Sequence, residues 1–206
     1  MATCGGPRRE SRISPPDGQR LLLSEGPPGG SGHDLGMLSL NGDRRVTWLV
    51  QTPSSELSGE ISPDGRWLAY ESDESGQIQV YMRPFPAVDQ GRWQVSANGG
   101  QEPLWARSGR ELFYLEPDGT LMAVPVDAPQ KSASPALGTP AKLIAGEQYA
   151  TRSFNQLGRT YDVSADDKRF LRIKLKDGGP DNRTTPVNFV VVQNWFTELQ
   201  QRVPVK

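Results

Sequence analysis

A turn followed by an apolar strand recurs along the chain, and this repeat constrains the fold more than any other feature. The clearest turn is Ser62-Pro63-Asp64-Gly65, which leads into the strand Arg66 to Ser72. Pro63 presets φ at the second turn position, Asp64 can hydrogen-bond the neighbouring backbone, and Gly65 supplies a positive φ. The strand carries aromatic and apolar side chains on successive positions. Both of its faces are therefore expected to be buried inside a sheet.

Three further segments fit the same template when they are aligned on the turn, although the fourth copy lacks both the proline and the glycine. The aligned strands place one apolar row on a common face and a second row on the opposite face. The first row is Leu21, Leu68, Leu112 and Phe170, and the second is Leu22, Ala69, Phe113 and Leu171. The predicted core comprises the first row together with Tyr70 and Tyr114. The turns are spaced by roughly 45 to 60 residues, the range of one propeller blade or one solenoid unit.

Each repeat also contains further strands joined by tight turns. In the second repeat the predicted strands are Leu57 to Ile61, Arg66 to Ser72, Gln77 to Arg83 and Arg92 to Ser96. In the third repeat Pro117-Asp118-Gly119 forms a further turn of the same chemistry. Four short antiparallel strands in a meander are the content of a propeller blade. The predicted fold is all-β, with about four such blades packed face to face and no helix longer than two turns.

The 206 residues are predicted to form one array of similar units. Residues 1–10 are expected to be a disordered lead-in, residues 11–195 a single partial propeller domain, and residues 196–206 a C-terminal tail. The chain contains 22 glycines and 18 prolines, a content that fits a turn-rich all-β protein better than a low-complexity chain.

Charge and hydropathy exclude several classes of partner. The formal net charge is −1, from 23 basic and 24 acidic residues, so nucleic acid is not an expected partner. No run of about 18 apolar residues occurs, so this chain is not expected to insert into a membrane. Cys4 is the single cysteine, which excludes an internal disulfide and a cysteine-rich metal site.

Catalytic motifs are absent from the sequence. His33 is the single histidine, it lies in a glycine-rich loop, and no Gly-x-Ser-x-Gly elbow occurs. The carboxylates recur one per turn, at Asp64, at Asp118 and at Asp166-Asp167, which falls short of the six to eight oxygens that calcium needs. The motifs of a protein kinase are also missing. The sequence therefore predicts no enzyme activity, no cofactor and no bound metal.

Tryptophan and arginine side chains are the candidates for ligand contact. The tryptophans could form an aromatic platform for a peptide or glycan, but their strand positions favour packing between blades. They are Trp48, Trp67, Trp93, Trp105 and Trp195. Arginines near the blade edges could contact a ligand or simply cover those edges. Trp105 and Arg107 are the residues predicted as possible ligand contacts.

The strand, turn and Leu-aromatic strand at Leu57 to Arg66 and at Glu102 to Arg110 resemble the WD-repeat-like blades of TolB-type β-propellers. The segment Val80 to Pro86, together with Gly99-Gly100, resembles a narrower group. These are the C-terminal propeller halves of bacterial proteins that often carry a serine/threonine kinase domain and a membrane span. This resemblance implies a ring of six or more blades, of which the chain would be an incomplete arc, and a location in the bacterial periplasm or on the extracytoplasmic side.

Two functional hypotheses follow from the sequence. The first is a non-catalytic binding or scaffold module that recognises a protein, a peptide or an envelope component. The second is the regulatory or sensor propeller of a larger enzyme, either a kinase receptor or a prolyl-oligopeptidase-like hydrolase. A truncated arc would expose apolar surface and self-associate, whereas four units that close a ring by themselves would remain monomeric.

Overall fold

The computed structural model describes residues 8–13, 18–26, 32–42, 44–127, 134–147, 149–151 and 158–173, with the backbone alone for 8–13. The chain divides into residues 1–175 and residues 176–206, and every described residue belongs to the first unit. The expectations for Trp195 and for the tail at 196–206 fall outside the described residues, as does most of the predicted lead-in. The first strand begins at Arg8, inside the stretch that was expected to be a lead-in.

The strands form four antiparallel sheets, each of which is one blade. Blade 1 contains β1 (Arg8–Ile13), β2 (Arg20–Gly26), β3 (Asp34–Ser39) and β4 (Val46–Val50). Blade 2 contains β5 (Glu56–Ile61), β6 (Trp67–Ser72), β7 (Gln79–Pro84) and β8 (Trp93–Gln94). Blade 3 contains β9 (Gln101–Trp105), β10 (Glu111–Leu115), β11 (Leu121–Asp127), β12 (Ala136–Leu137) and β13 (Ala141–Ile144). The described part of blade 4 contains β14 (Tyr161–Val163) and β15 (Phe170–Arg172).

Strand order in space follows strand order in sequence in blades 1 and 2, as a meander requires. Blade 3 departs from this plan because both β12 and β13 pair with β11. The sequence predicts an exposed loop at Asp127 to Gly138, but Ala136–Leu137 within it forms the short strand β12. In the described residues the one helical element is a 3-10 turn at Val88–Gln90. The predicted all-β fold of antiparallel blades is confirmed.

The repeated turn is held by its own side chains. Asp64 accepts hydrogen bonds from the Ser62 hydroxyl at 2.6 Å and from the Arg66 N–H at 3.2 Å. Gly65 takes φ +71°, which a side chain would disfavour. In the fourth copy Asp166 accepts the same two bonds, from the Ser164 hydroxyl and the Lys168 N–H. The turn therefore keeps its hydrogen bonds where its proline and glycine have been replaced.

Apolar clusters between the blades bury the two predicted rows against neighbouring units. Leu68 and Leu112 are fully buried and face the preceding blade, while Phe170 is half-buried against blade 3. Ala69 and Phe113, one position later, are buried against the following blade. Tyr70 and Tyr114 are each 1 % exposed within the same clusters. The outer members of the rows are less covered, since Leu21 is half-buried and Leu171 is 74 % exposed.

The first strands of blades 2 and 3 each contain a bulge, and the bulge of blade 3 is bonded to the blade before it. Ser58 and Glu102 occupy equivalent places and both have positive φ, at +52° and +56°. A bulged residue loses its partner in the ladder. The Glu102 N–H is instead bonded at 2.8 Å by the Glu71 carboxylate of blade 2. In turn the Glu102 carboxylate accepts the Thr160 N–H of the fourth blade at 2.6 Å. Buried acids therefore join successive blades.

Asp167 occupies the place of the turn glycine in the fourth copy and keeps its positive φ of +59°. Its carboxylate accepts the backbone N–H groups of Arg107 at 2.6 Å and Ser108 at 2.9 Å, in the corresponding turn of blade 3. Burial alone would raise the pKa of Asp167, but these hydrogen bonds hold it below the ordinary value. The side chain thus offsets the backbone strain that it introduces.

Replacing Asp167 separates these two effects. We expect Asp167→Ala to lower the free energy of unfolding by about 1 to 2 kcal/mol, because it keeps the strained φ and removes two hydrogen bonds. Asp167→Gly removes the same bonds but relieves the strain, so it should cost about half as much. Urea denaturation of the two variants measures the difference. A glycine variant less stable than the alanine variant would contradict this account.

Candidate functional site

The meander sorts the connections of the propeller onto two faces. The turns between first and second strands, such as 62–66 and 106–110, lie on one side, which we call the turn face. The connections between second and third strands, and those between blades, lie at the opposite ends of the strands, which we call the loop face. Gly109 lies within van der Waals reach of Pro63 on the turn face, and Gly99 approaches Pro117 on the loop face.

A groove of about 260 Å³ opens on the loop face between blades 2 and 3. The described residues of its lining combine amide side chains, a glycine-rich backbone and apolar groups, and none of them is charged. The lining residues are Gln77, Ile78, Gly99, Gly100, Gln101, Pro117 and Thr151. The Gly100 N–H is bonded to the Ile78 carbonyl at 2.9 Å, which fixes one wall. A side chain at Gly100 would meet Ser96 and Tyr114, so glycine allows the close approach there.

One predicted turn forms part of this groove. Pro117 lines it, while the adjacent Asp118 accepts the N–H and hydroxyl of Thr120 at 2.8 and 3.0 Å. These bonds lower the pKa of Asp118, which keeps its carboxylate charged and engaged within the turn. Gly119 follows at φ +82°. The turn therefore positions an apolar ring at the groove rather than a catalytic acid.

The residues predicted to contact a ligand lie elsewhere. Trp105 is 2 % exposed, packs between blades 2 and 3, and donates its indole N–H to the Glu60 carbonyl at 3.3 Å. In the same cluster the rings of Trp67 and Trp93 pack edge to face, with their centroids 5.8 Å apart. These contacts agree with the packing interpretation for Trp67, Trp93 and Trp105, whereas Trp48 is 39 % exposed. Arg107 is exposed on the turn face, and a ligand contact by it stays a prediction.

Glu56 is a buried acid at the loop-face end of the junction between blades 1 and 2. It is 1 % exposed, and its Oε1 accepts the hydroxyls of Thr52 at 2.5 Å and Ser72 at 3.3 Å. Its Oε2 is buried without a hydrogen-bond partner. Burial raises the pKa of Glu56 above its ordinary value, although the hydrogen bonds from Thr52 and Ser72 lower it. The charge of Asp34 raises it further.

A raised pKa makes this carboxylate a source of pH-dependent stability. Because the folded pKa exceeds the unfolded one, the contribution of Glu56 is fully present below the unfolded pKa and is lost as pH rises through the folded pKa. We therefore expect Glu56→Gln to be about 1 kcal/mol more stable than the parent at pH 7, with the difference vanishing near pH 4. Urea denaturation at both pH values, with the exposed Glu147→Gln as control, measures this. Equal pH profiles for parent and Glu56→Gln would contradict it.

Chemistry-bearing side chains do not converge in the described part of the chain. No group of three or more His, Cys, Asp or Glu residues there could hold a metal ion. The His33 carbonyl accepts the Glu56 N–H at 2.6 Å and His33 bridges to Ser55, so this histidine helps to join blades 1 and 2. None of the described helical structure is both long and apolar enough to cross a bilayer.

Sequence reasoning missed most of the groove and all of the buried acids. In the sequence, Gly99-Gly100 contributes to a family resemblance and does not predict a wall of a groove. The groove depends on loops from two blades meeting, which no local pattern encodes. Glu56, Glu71 and Glu102 would ordinarily be read as exposed strand positions. Glu71 is the one of these acids that the sequence could have identified as buried, because it lies on a strand whose two faces are both predicted to be buried.

Comparison with known proteins gives the following similarities. No family model matches the chain. A 108-residue stretch, half of the chain, is 33 % identical to dipeptidyl aminopeptidase BI from Pseudoxanthomonas mexicana, of which it covers 14 %. A protein assigned as TolB from Agrobacterium tumefaciens is 17 % identical, with a TM-score of 0.48 over 68 % of this chain and 52 % of that one. TolB from Acinetobacter baumannii is 17 % identical, with a TM-score of 0.48 over 74 % of this chain and 39 % of that one.

TolB proteins are therefore among the structures that the chain resembles, as its sequence predicts. The resemblance to kinase-associated propellers stays a prediction. The chain spans 14 % of the peptidase and about half or less of the two TolB chains.

Proposed function

We propose that this chain is a non-catalytic propeller module that binds a peptide, or a peptide segment of a partner protein, in the loop-face groove between blades 2 and 3. The observation that carries the proposal is the character of the groove lining. Amide groups of Gln77 and Gln101 lie beside the apolar surface of Ile78 and Pro117, with no charged residue among them. This mixture matches a peptide, whose backbone offers donors and acceptors and whose side chains offer apolar surface.

Other ligand classes fit this lining less well. A nucleic acid would need clustered cations, and a metal ion would need several carboxylate or imidazole ligands. Covalent catalysis would need a nucleophile beside a base. Among the described lining residues, the Thr151 hydroxyl is the only hydroxyl, and no histidine, lysine or carboxylate accompanies it. The lining therefore favours recognition over turnover.

A binding experiment with two matched variants tests the proposal. A library of N-acetylated tripeptides is titrated into the 206-residue chain, and affinities are measured by calorimetry. Gln77→Trp, on the exposed side of the groove, should weaken binding at least tenfold because the indole fills the site. Gln90→Trp makes the same change at an exposed position on the turn face and should leave the affinity unchanged. Equal affinities for the two variants, or hydrolysis of a peptide by the parent chain, would refute the proposal.

The second candidate is the regulatory, substrate-gating propeller of a larger enzyme. The 33 % identity to dipeptidyl aminopeptidase BI over half of the chain favours a peptidase as that enzyme. A kinase receptor is the other enzyme that the sequence predictions allow. The coding sequence on either side of this chain distinguishes these cases, because a hydrolase domain selects the first, and a kinase domain with a membrane span selects the second. If neither domain is encoded beside this chain, the first candidate, the non-catalytic binding module, is favoured.

A further inference from the structure

Arg172 occupies a position at which blades 2 and 3 carry a tyrosine. When the repeats are aligned, Arg172 is equivalent to Tyr70 and Tyr114, the buried tyrosines that face the preceding blade. It ends β15 and pairs with Tyr161 of β14. Tyr161 donates its hydroxyl to the Glu102 carbonyl at 2.8 Å, so this part of blade 4 is tied to blade 3. A cation has thus replaced an aromatic ring at a junction between blades.

The guanidinium of Arg172 has no hydrogen-bond acceptor among the residues that the structure describes. Its Nε, Nη1 and Nη2 atoms are all buried and all without a partner. The group stacks on the Tyr149 ring, with its central carbon 4.4 Å from the ring centroid. Stacking covers one face of the guanidinium but leaves its in-plane N–H donors unused. A buried cation with unused donors is unfavourable unless an acceptor reaches it.

Other arginines in the described blades show what Arg172 lacks. Arg83 donates from Nε to the Tyr70 hydroxyl at 2.8 Å and from Nη1 to the Val88 carbonyl at 3.0 Å. Arg159 donates from Nη2 to both Glu60 and Pro103. The Glu102 carboxylate, although close enough to influence the charge of Arg172, directs Oε2 to the N–H and hydroxyl of Thr160. No hydrogen bond to a described residue uses the donors of Arg172, and the nearby Glu102 acts on the guanidinium through its charge.

We propose that Arg172 binds a carboxylate of the peptide ligand, so that the groove prefers peptides with a free C-terminus or an acidic side chain at one end. This inference rests on the proposed function. Guanidinium presents two parallel N–H donors that match the two oxygens of a carboxylate. Tyr149, which stacks on Arg172, is two residues from Thr151 in the groove lining. Because these nitrogens are buried, we expect the half-buried Tyr149 ring to move when a carboxylate binds them.

The test follows the Nε–Hε signal of Arg172 by NMR in the 206-residue chain, assigned by its loss in Arg172→Tyr. Four probes are titrated: sodium acetate, acetyl-trialanine with a free C-terminus, its C-terminal amide, and acetyl-Ala-Glu-Ala amide. The three carboxylate probes should move the signal downfield, and the neutral amide should not. The free-acid and glutamate peptides show whether the main-chain or side-chain carboxylate is the preferred source.

Two variants separate the carboxylate contact from packing. Arg172→Tyr restores the residue type of blades 2 and 3 and should bind the free-acid peptide at least about tenfold more weakly. Arg172→Lys keeps the charge without the paired donors and should fall between the two. Circular dichroism and melting temperatures verify that both variants fold. If Arg172→Tyr does not fold, the comparison of the parent with Arg172→Lys tests the carboxylate contact.

The outcomes distinguish this inference from the proposed function. If the free acid and the amide bind equally and acetate leaves the Arg172 signal in place, the carboxylate site is refuted while the peptide groove stands. If acetate moves the signal but no peptide binds, the carboxylate site stands and the proposed function is refuted. If acetate leaves the signal in place and no peptide binds, both are overturned.

Discussion

Arg159→Met should lower the free energy of unfolding by about 3 kcal/mol. This is a larger effect than those expected for the substitutions of Asp167 and Glu56. Arg159 Nη2 lies 2.8 Å from Glu60 Oε2 and 2.8 Å from the Pro103 carbonyl, so one side chain ties together the first strands of blades 2 and 3 from the segment before β14. Burial alone would lower the pKa of Arg159, but Glu60 raises it above the ordinary value. Urea denaturation at pH 7 measures the loss.

The large cost arises because the variant removes the cation and leaves the Glu60 carboxylate, which is only 22 % exposed. Arg169→Met is the matched control. Its ion pair with Asp166 spans 3.9 Å with both side chains at least half exposed, and such surface pairs contribute little. A loss at Arg159 no greater than at Arg169 would show that the bridge between blades is not needed for stability.

Phe113→Ala should cost about 4 kcal/mol, because it deletes a buried ring from the junction of blades 3 and 4. Phe113 is 1 % exposed and meets the Phe170 ring edge to face at 5.0 Å. The repeat provides an internal control, since Leu171 occupies the equivalent position in blade 4 and is 74 % exposed. Leu171→Ala should change stability by less than about 0.5 kcal/mol.

Thermal and urea denaturation of both variants measure this contrast. The difference tests the alignment of the repeats as well as the packing, because the two residues occupy equivalent positions of the repeat. A cost at Leu171 comparable with that at Phe113 would mean that Leu171 is covered in solution. Equal and small costs at both positions would contradict the assignment of Phe113 to the core.

The sequence was sufficient for those parts of the fold that depend on local chemistry. Asp64 and Gly65 encode a turn, and an alternating strand pattern encodes which side chains share a face. These two signals predicted that Leu68 and Ala69 would face opposite neighbours, as they do. The lead-in was less predictable, because the strand at Arg8 is formed by pairing with β2 rather than by its own polar sequence.

The contacts between blades and the groove could not be predicted in the same way. Glu71 has its hydrogen-bond partner at Glu102, 31 positions further along the chain. A glutamate that satisfies a distant bulge and a glutamate that faces water look alike in sequence. The groove likewise exists only once Gly99 and Pro117 have been brought together. Trp105 could be read as a platform or as packing, and only its burial separates the two.

Asp167 bears on how further copies of this unit are to be recognised in other chains. The turn needs a residue that tolerates a left-handed backbone, and aspartate meets that need while forming two bonds to the neighbouring turn. A search that demands glycine at this position would pass over the fourth copy and count one repeat too few. A profile that scores the conformational class of the position, grouping glycine with asparagine and aspartate, would retain it.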